Sequence, residues 1–154
     1  MSLIVDTVNH PIVTSAKALF LKYSKDPEFL DRIRAAKFKY TKHTSDEIAR
    51  KILEDTSEIH LKSYKTTPKV IASTSGKTIR FNLRALWDPA THQERAELIA
   101  GRTNTLMHEY VHTLGYTHKG NKNTPFNQET PPYKIGRMFE EYVKSKQVDL
   151  AESI

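Results

Sequence analysis

The sequence predicts an α+β fold: a small mixed sheet of about three to four strands packed on one long helix, with helices before it and a further helix closing the chain. Three observations lead there. Apolar residues recur at helical spacing through the first ~45 residues. Between residues 57 and 83 the period shortens toward the alternation of strands. Residues 94–114 then carry one continuous helical stripe that stops at Gly115.

Each element has a local reason. Pro11 interrupts the start, and Ser15–Tyr23 and Pro27–Lys37 follow as short helices. Asp26 before Pro27 has the form of an N-cap followed by proline at the first helical position. Thr44 with Glu47 forms a capping-box pattern. The helix it opens should present Ile48, Ile52 and Leu53 on one face. SEIHLKSY reads as a strand. Two β-rich runs flank Ser75-Gly76-Lys77, led in by Val70 and Ile71 and continued by Ile79, Phe81 and Leu83, which predicts a hairpin. Either Asp88-Pro89 or Thr91 with Glu94 can start the long helix. Gly101 in its middle costs about 1 kcal/mol relative to alanine. The polar run HKGNKNTPFNQETPP reads as a loop, and YKIGRMFEEYVKSKQV as the last helix.

With 154 residues and 38% apolar content the chain suits one domain, 1–154, with a helical segment 1–44 ahead of a core 45–154. No apolar run approaches the ~20 residues of a membrane span. The opening MSLIVDTVNHPIV lacks a basic segment, and Asp6 and His10 interrupt its apolar stretch, so a cytoplasmic location is expected. The chain has no cysteine, which excludes disulfides and thiolate metal sites and leaves nitrogen and oxygen as metal donors. The formal charge is +6. It could attract nucleic acid or acidic substrates. The basic residues are spread along the chain without a block of like charge, as on a solvated surface. Nothing in the sequence specifies an oligomeric state.

The chemistry concentrates in residues 108–118, HEYVHTLGYTH. Two histidines four apart project from one helical face, one turn apart, so His108 and His112 can reach one metal ion. Glu109 lies about 100° around the helix, where a carboxylate can approach a water from the side. Gly115 allows the chain to turn, and His118 then comes back as a third ligand. Three protein donors leave a coordination position open, as in catalytic zinc sites; structural sites have four. Ile99, Thr103, Leu106, Met107, Tyr110, Val111 and Leu114 form a stripe opposite the histidine pair. One face of the helix therefore serves a core and the other a cleft. HExxH alone arises by chance in about one such sequence in fifty. Gly115 and His118 at fixed offsets reduce that to about a few in a hundred thousand, which favours a Zn2+ site over coincidence.

HExxHxxGxxH is the zinc signature of the metzincin metallopeptidases, and residues 108–118 match each fixed position of it. The order of hairpin, long helix, loop and second helix over residues 69–147 resembles the family more loosely. The resemblance implies a zincin-like peptidase acting on a peptide or protein substrate. His108, His112 and His118 would be the zinc ligands and Glu109 the general base. Residues 77–83, KTIRFNL, would be the edge strand that aligns substrate. The family's methionine turn is missing. The only methionine after His118 is Met138, inside a predicted helix and followed two residues later by Glu140. Pro131, Pro132 and Tyr133 form the turn instead. PPYKIG resembles the PY-x-IG segment of small bacterial and phage metzincin-like proteins. Tyr133 therefore either donates to the oxyanion or simply packs on the helix. Two alternatives accompany the peptidase reading. One is a toxin-like protease, or one acting on nucleic-acid-bound proteins, motivated by the charge. The other is a non-catalytic zinc-binding interaction module, for which Lys119–Lys122 would be a partner surface.

Overall fold

A computed structural model describes residues 4–118, 124–146 and 150–151. Among them the fold is a helix-rich α+β arrangement. The elements are β1 (Ile4–Asp6), α1 (Pro11–Tyr23), α2 (Pro27–Ala35), α3 (Ser45–Glu54), β2 (Ile59–Tyr64), β3 (Ala72–Ser75), β4 (Thr78–Asn82), α4 (His92–Thr113), α5 (Pro125–Gln128) and α6 (Pro131–Ser145). The loop residues Lys119–Lys122 lie outside the described residues.

The sheet is mixed, in the order β1-β2-β4-β3. β1 and β4 both run parallel to β2, while β3 and β4 form the antiparallel hairpin. Gly76, at φ +58°, takes the first position of its tight loop, a conformation that glycine adopts without strain. Two expectations change here. The start of the chain, read as helical, contributes β1, whose three residues are too few for alternation to register and whose partner lies more than 50 residues away. Residues 77–83 are not the edge. β4 is hydrogen-bonded on both sides, so its backbone groups are taken, and the free edge beside α4 is β3.

The core lies between the sheet, α4 and the flanking helices. Ile59 and Leu61 of β2, with Ile79 and Phe81 of β4, are buried together with Ile99, Leu106, Met107, Tyr110 and Val111 of α4. On the other side Phe20 of α1 stacks edge-on against Tyr110 at 5.3 Å and Phe139 of α6 at 5.9 Å. Phe29 of α2 meets Phe139 at 5.0 Å. The N-terminal helices thus complete the same core as α4.

Local signals resolve variably. Pro11 does not break α1 but starts it, since the first helical position needs no N–H, and His10 Nδ1 accepts from Ile12 N at 3.2 Å as the cap. Asp26 has the extended backbone of an N-cap, yet its carboxylate accepts from the Tyr142 hydroxyl instead of capping α2. Thr44 Oγ1 accepts from Glu47 N at 3.2 Å, as predicted. Leu53 is 46% exposed, and Ala49 takes its place beside Ile48 and Ile52. Within the predicted loop, Pro125–Gln128 make one helical turn, capped by Thr124. Pro131 and Pro132 are not a turn before α6 but its first residues. No helix among the described residues is long and apolar enough to cross a membrane.

Gly101 illustrates an unused margin. A Cβ built there meets nothing within 4 Å. Gly101→Ala is expected to stabilise the protein by about 0.5–1 kcal/mol through helix propensity and a less flexible unfolded chain. A thermal melt that does not rise would refute this.

Candidate metal centre

α4 is held at both ends by local chemistry. Thr91 Oγ1 accepts from Glu94 N at 3.1 Å, and Glu94 Oε2 accepts from Ala90 N at 2.8 Å. At the other end Gly115 adopts φ +99°, and its N–H donates to the His112 carbonyl at 3.0 Å. That left-handed residue stops the helix and turns residues 116–118 back over it.

The turn brings the third histidine to the first two. The Nε2 atoms of His108 and His112 are 3.2 Å apart, those of His108 and His118 3.1 Å, and those of His112 and His118 3.0 Å. Three nitrogens each ~2.0–2.1 Å from one tetrahedral zinc ion stand about 3.3 Å apart, so the donor set fits such an ion within a few tenths of an ångström. The charge state fits as well. Burial, then the neighbouring His112 and His118, push His108 down to about 3. Burial and His118 also lower His112. His108 and His112 therefore meet with neutral rings. His112 Nδ1–H donates to the Tyr116 carbonyl at 2.9 Å, which leaves the lone pair on Nε2 facing the group. Among the described residues the group has these three members and no fourth imidazole or carboxylate.

Glu109 faces the sheet. It is buried, and the Thr74 hydroxyl of β3 donates to its carboxylate. Burial pushes its pKa up, and the Thr74 hydrogen bond opposes part of that shift. Tyr133, in the first turn of α6, sets its ring 4.5 Å from that of His108 and 4.6 Å from that of His118. Burial and then the Glu109 charge raise its phenol. Met138 packs on the core from α6 and is not part of the cleft lining. The histidines, Glu109, Thr74 and Tyr133 line one cleft of about 1100 Å³ between β3 and α4.

Three supporting residues escaped sequence reading. Thr74 touches Glu109 across 35 positions, and its sequence signal is only an alternating place in a strand. Tyr116 contributes a backbone carbonyl, which any residue carries. Gly136 lets α6 approach the histidine helix closely. The other histidines serve elsewhere. His43 pairs with Glu47 at 3.0 Å and His60 with Glu58 at 3.0 Å. Compared with protein-family models, curated proteins and solved structures, the chain matches none.

The lowered histidine pKa values predict how the metal-free protein responds to acid. The unfolded chain takes up protons near 6.5, whereas folded His108 resists protonation until about 3. The stability these neutral rings contribute is therefore complete above 6.5 and is lost as pH falls toward about 3. Melting temperature of the metal-free protein should fall across that window, and less steeply in His108→Gln. Equal slopes for the two proteins would contradict the assignment.

Proposed function

We propose that this chain is a zinc-dependent peptidase with the metzincin arrangement, in which His108, His112 and His118 hold the ion and Glu109 is the general base. One observation carries the reading: three ring nitrogens converge within 3.0–3.2 Å beside a buried carboxylate in an open cleft. Zinc bound there supplies Lewis acidity, lowering the pKa of a water ligand toward ~7 and polarising a carbonyl. Glu109 accepts the proton of the attacking water and returns it to the leaving amine. Its desolvation makes it a stronger base than an exposed carboxylate, and Thr74 fixes its orientation. Tyr133 keeps its proton at neutral pH, so its hydroxyl is available as an oxyanion donor. β3 offers unpaired backbone groups along the same cleft, to which an extended peptide can add as a further strand. A three-membered donor group supports catalysis over a closed structural site.

Metal titration of the purified protein tests the ligand set. It should saturate at one zinc per chain. His118→Ala should weaken affinity by more than about 100-fold, since loss of an outer-shell partner alone costs 10–100-fold. Unchanged affinity in that variant would remove His118 from the site. Failure of the zinc-loaded protein to cleave any member of a broad peptide library would remove the peptidase assignment.

A further inference from the structure

Arg102 of α4 is an unusual residue for the wall of this cleft. It is only 7% exposed, yet no carboxylate among the described residues pairs with it. Its Nη2 donates to the Ala85 carbonyl at 3.1 Å, while Nε is buried without a partner. Leaving a buried guanidinium donor unsatisfied is costly, and a carboxylate is the group that answers its planar fork. Arg102 lines the histidine cleft and also an adjoining recess of about 660 Å³, where the exposed Trp87 ring lies 5.7 Å from its guanidinium. The two carboxylates of that recess are already engaged, Glu97 with Lys144 at 3.0 Å and Glu94 with the Ala90 N–H.

The position is informative. Arg102 is two turns before Glu109 and about 20° from it around the helix, which places it about 10 Å further along the same side. At about 3.3 Å per residue, that is three residues of extended peptide. Direction follows from β3. Thr74 touches Glu109, whereas Ile71 accepts from the Asn82 N–H, just before Ala85 and Arg102. A peptide added antiparallel to β3 therefore runs from Glu109 toward Arg102.

We infer that Arg102 determines specificity by binding a substrate carboxylate about three residues beyond the scissile bond, on its C-terminal side. The carboxylate is that of an aspartate or glutamate side chain or of the peptide's own C-terminus. The inference rests on the peptidase reading of the His108 site.

Trp87 is the only tryptophan in the chain, so its fluorescence reports on this recess directly. The experiment uses zinc-loaded Glu109→Gln protein, which separates binding from turnover. Three hexapeptides are titrated: an amidated one with aspartate three residues after the central bond, its asparagine counterpart, and the asparagine peptide with a free C-terminal carboxylate. Either or both carboxylate-bearing peptides should bind at least about tenfold more tightly than the neutral amide, and which of them does so identifies the source. Adding Arg102→Gln should abolish the preference, so that the carboxylate-bearing peptides bind no more tightly than the neutral amide. Arg102→Lys, which keeps the charge and loses the fork, should retain part of it and provides the comparison if Arg102→Gln does not fold. Equal affinity for all three peptides, or an undiminished preference in Arg102→Gln, would overturn the inference. An acid preference in a protein whose wild type cleaves nothing would overturn the peptidase reading alone. Cleavage of acidic and neutral peptides with equal kcat/KM would overturn the role of Arg102 alone.

Discussion

Replacing Glu109 by glutamine is expected to lower kcat/KM for a confirmed peptide substrate by about 10³-fold, within the range typical of a lost general base, with zinc content unchanged. Glutamine keeps the shape and the contact with Thr74 but cannot accept the proton. The three ring nitrogens do not include Glu109, so metal binding should survive. A second consequence needs no substrate. Because burial raises the Glu109 pKa, the ionised carboxylate opposes folding at pH above both its folded and unfolded values, and that cost is relieved as pH falls through the folded value. Metal-free Glu109→Gln should therefore melt above metal-free wild type at pH 7–8, with the gap closing toward the carboxylate range. Undiminished turnover would reject Glu109 as base. A lower melting temperature at pH 8 would reject the view that its burial opposes folding.

Gly136→Ala is expected to destabilise the protein by about 1–3 kcal/mol, the usual cost of overpacking. For a chain of this size that is a fall in Tm of about 3–10 °C. A Cβ at residue 136 would stand 2.4 Å from Asn104 Oδ1, 3.0 Å from the Asn104 carbonyl oxygen and 3.2 Å from His108 Cβ. The first contact could be relieved by side-chain rotation, although Asn104 would lose its 2.9 Å hydrogen bond to Glu140. The second involves backbone and requires α4 and α6 to separate. The third lies on a proposed metal ligand, so zinc affinity should fall together with stability. Gly101→Ala, on α4 with open space around it, is the control and should change neither for the worse. If Gly136→Ala matched wild type in both melting and zinc titration, close approach of α6 would not be what positions His108.

The parts of the candidate site that could be read in advance are those made within one short segment. His108, His112, Gly115 and His118 converge because helix periodicity and one left-handed residue are local properties, set by residues a turn apart. The Thr91 cap and the apolar stripe of α4 were legible for the same reason. What surrounds the segment was not. Which strand is the free edge depended on parallel pairing of β2 with β4, a contact between chain segments that alternation cannot specify, and this moved the edge from residues 77–83 to β3. Asp26 had a capping position but found Tyr142, 116 residues away. Leu53 yielded its place to Ala49 because the direction of α3 relative to α2 decides which side of a helix is covered. Tyr133 was singled out from the PPYKIG segment, but whether it meets the histidine rings rests on the packing of α6 against α4. Thr74 on Glu109 and the buried guanidinium of Arg102 likewise arise from packing between distant elements. By itself the sequence determined the three-histidine segment and the classes of its elements, since short-range sterics and periodicity suffice for those. The orientation of Glu109, the identity of the free sheet edge and the surroundings of Arg102 were decided only by tertiary structure, because they depend on burial and on contacts between residues far apart in the chain.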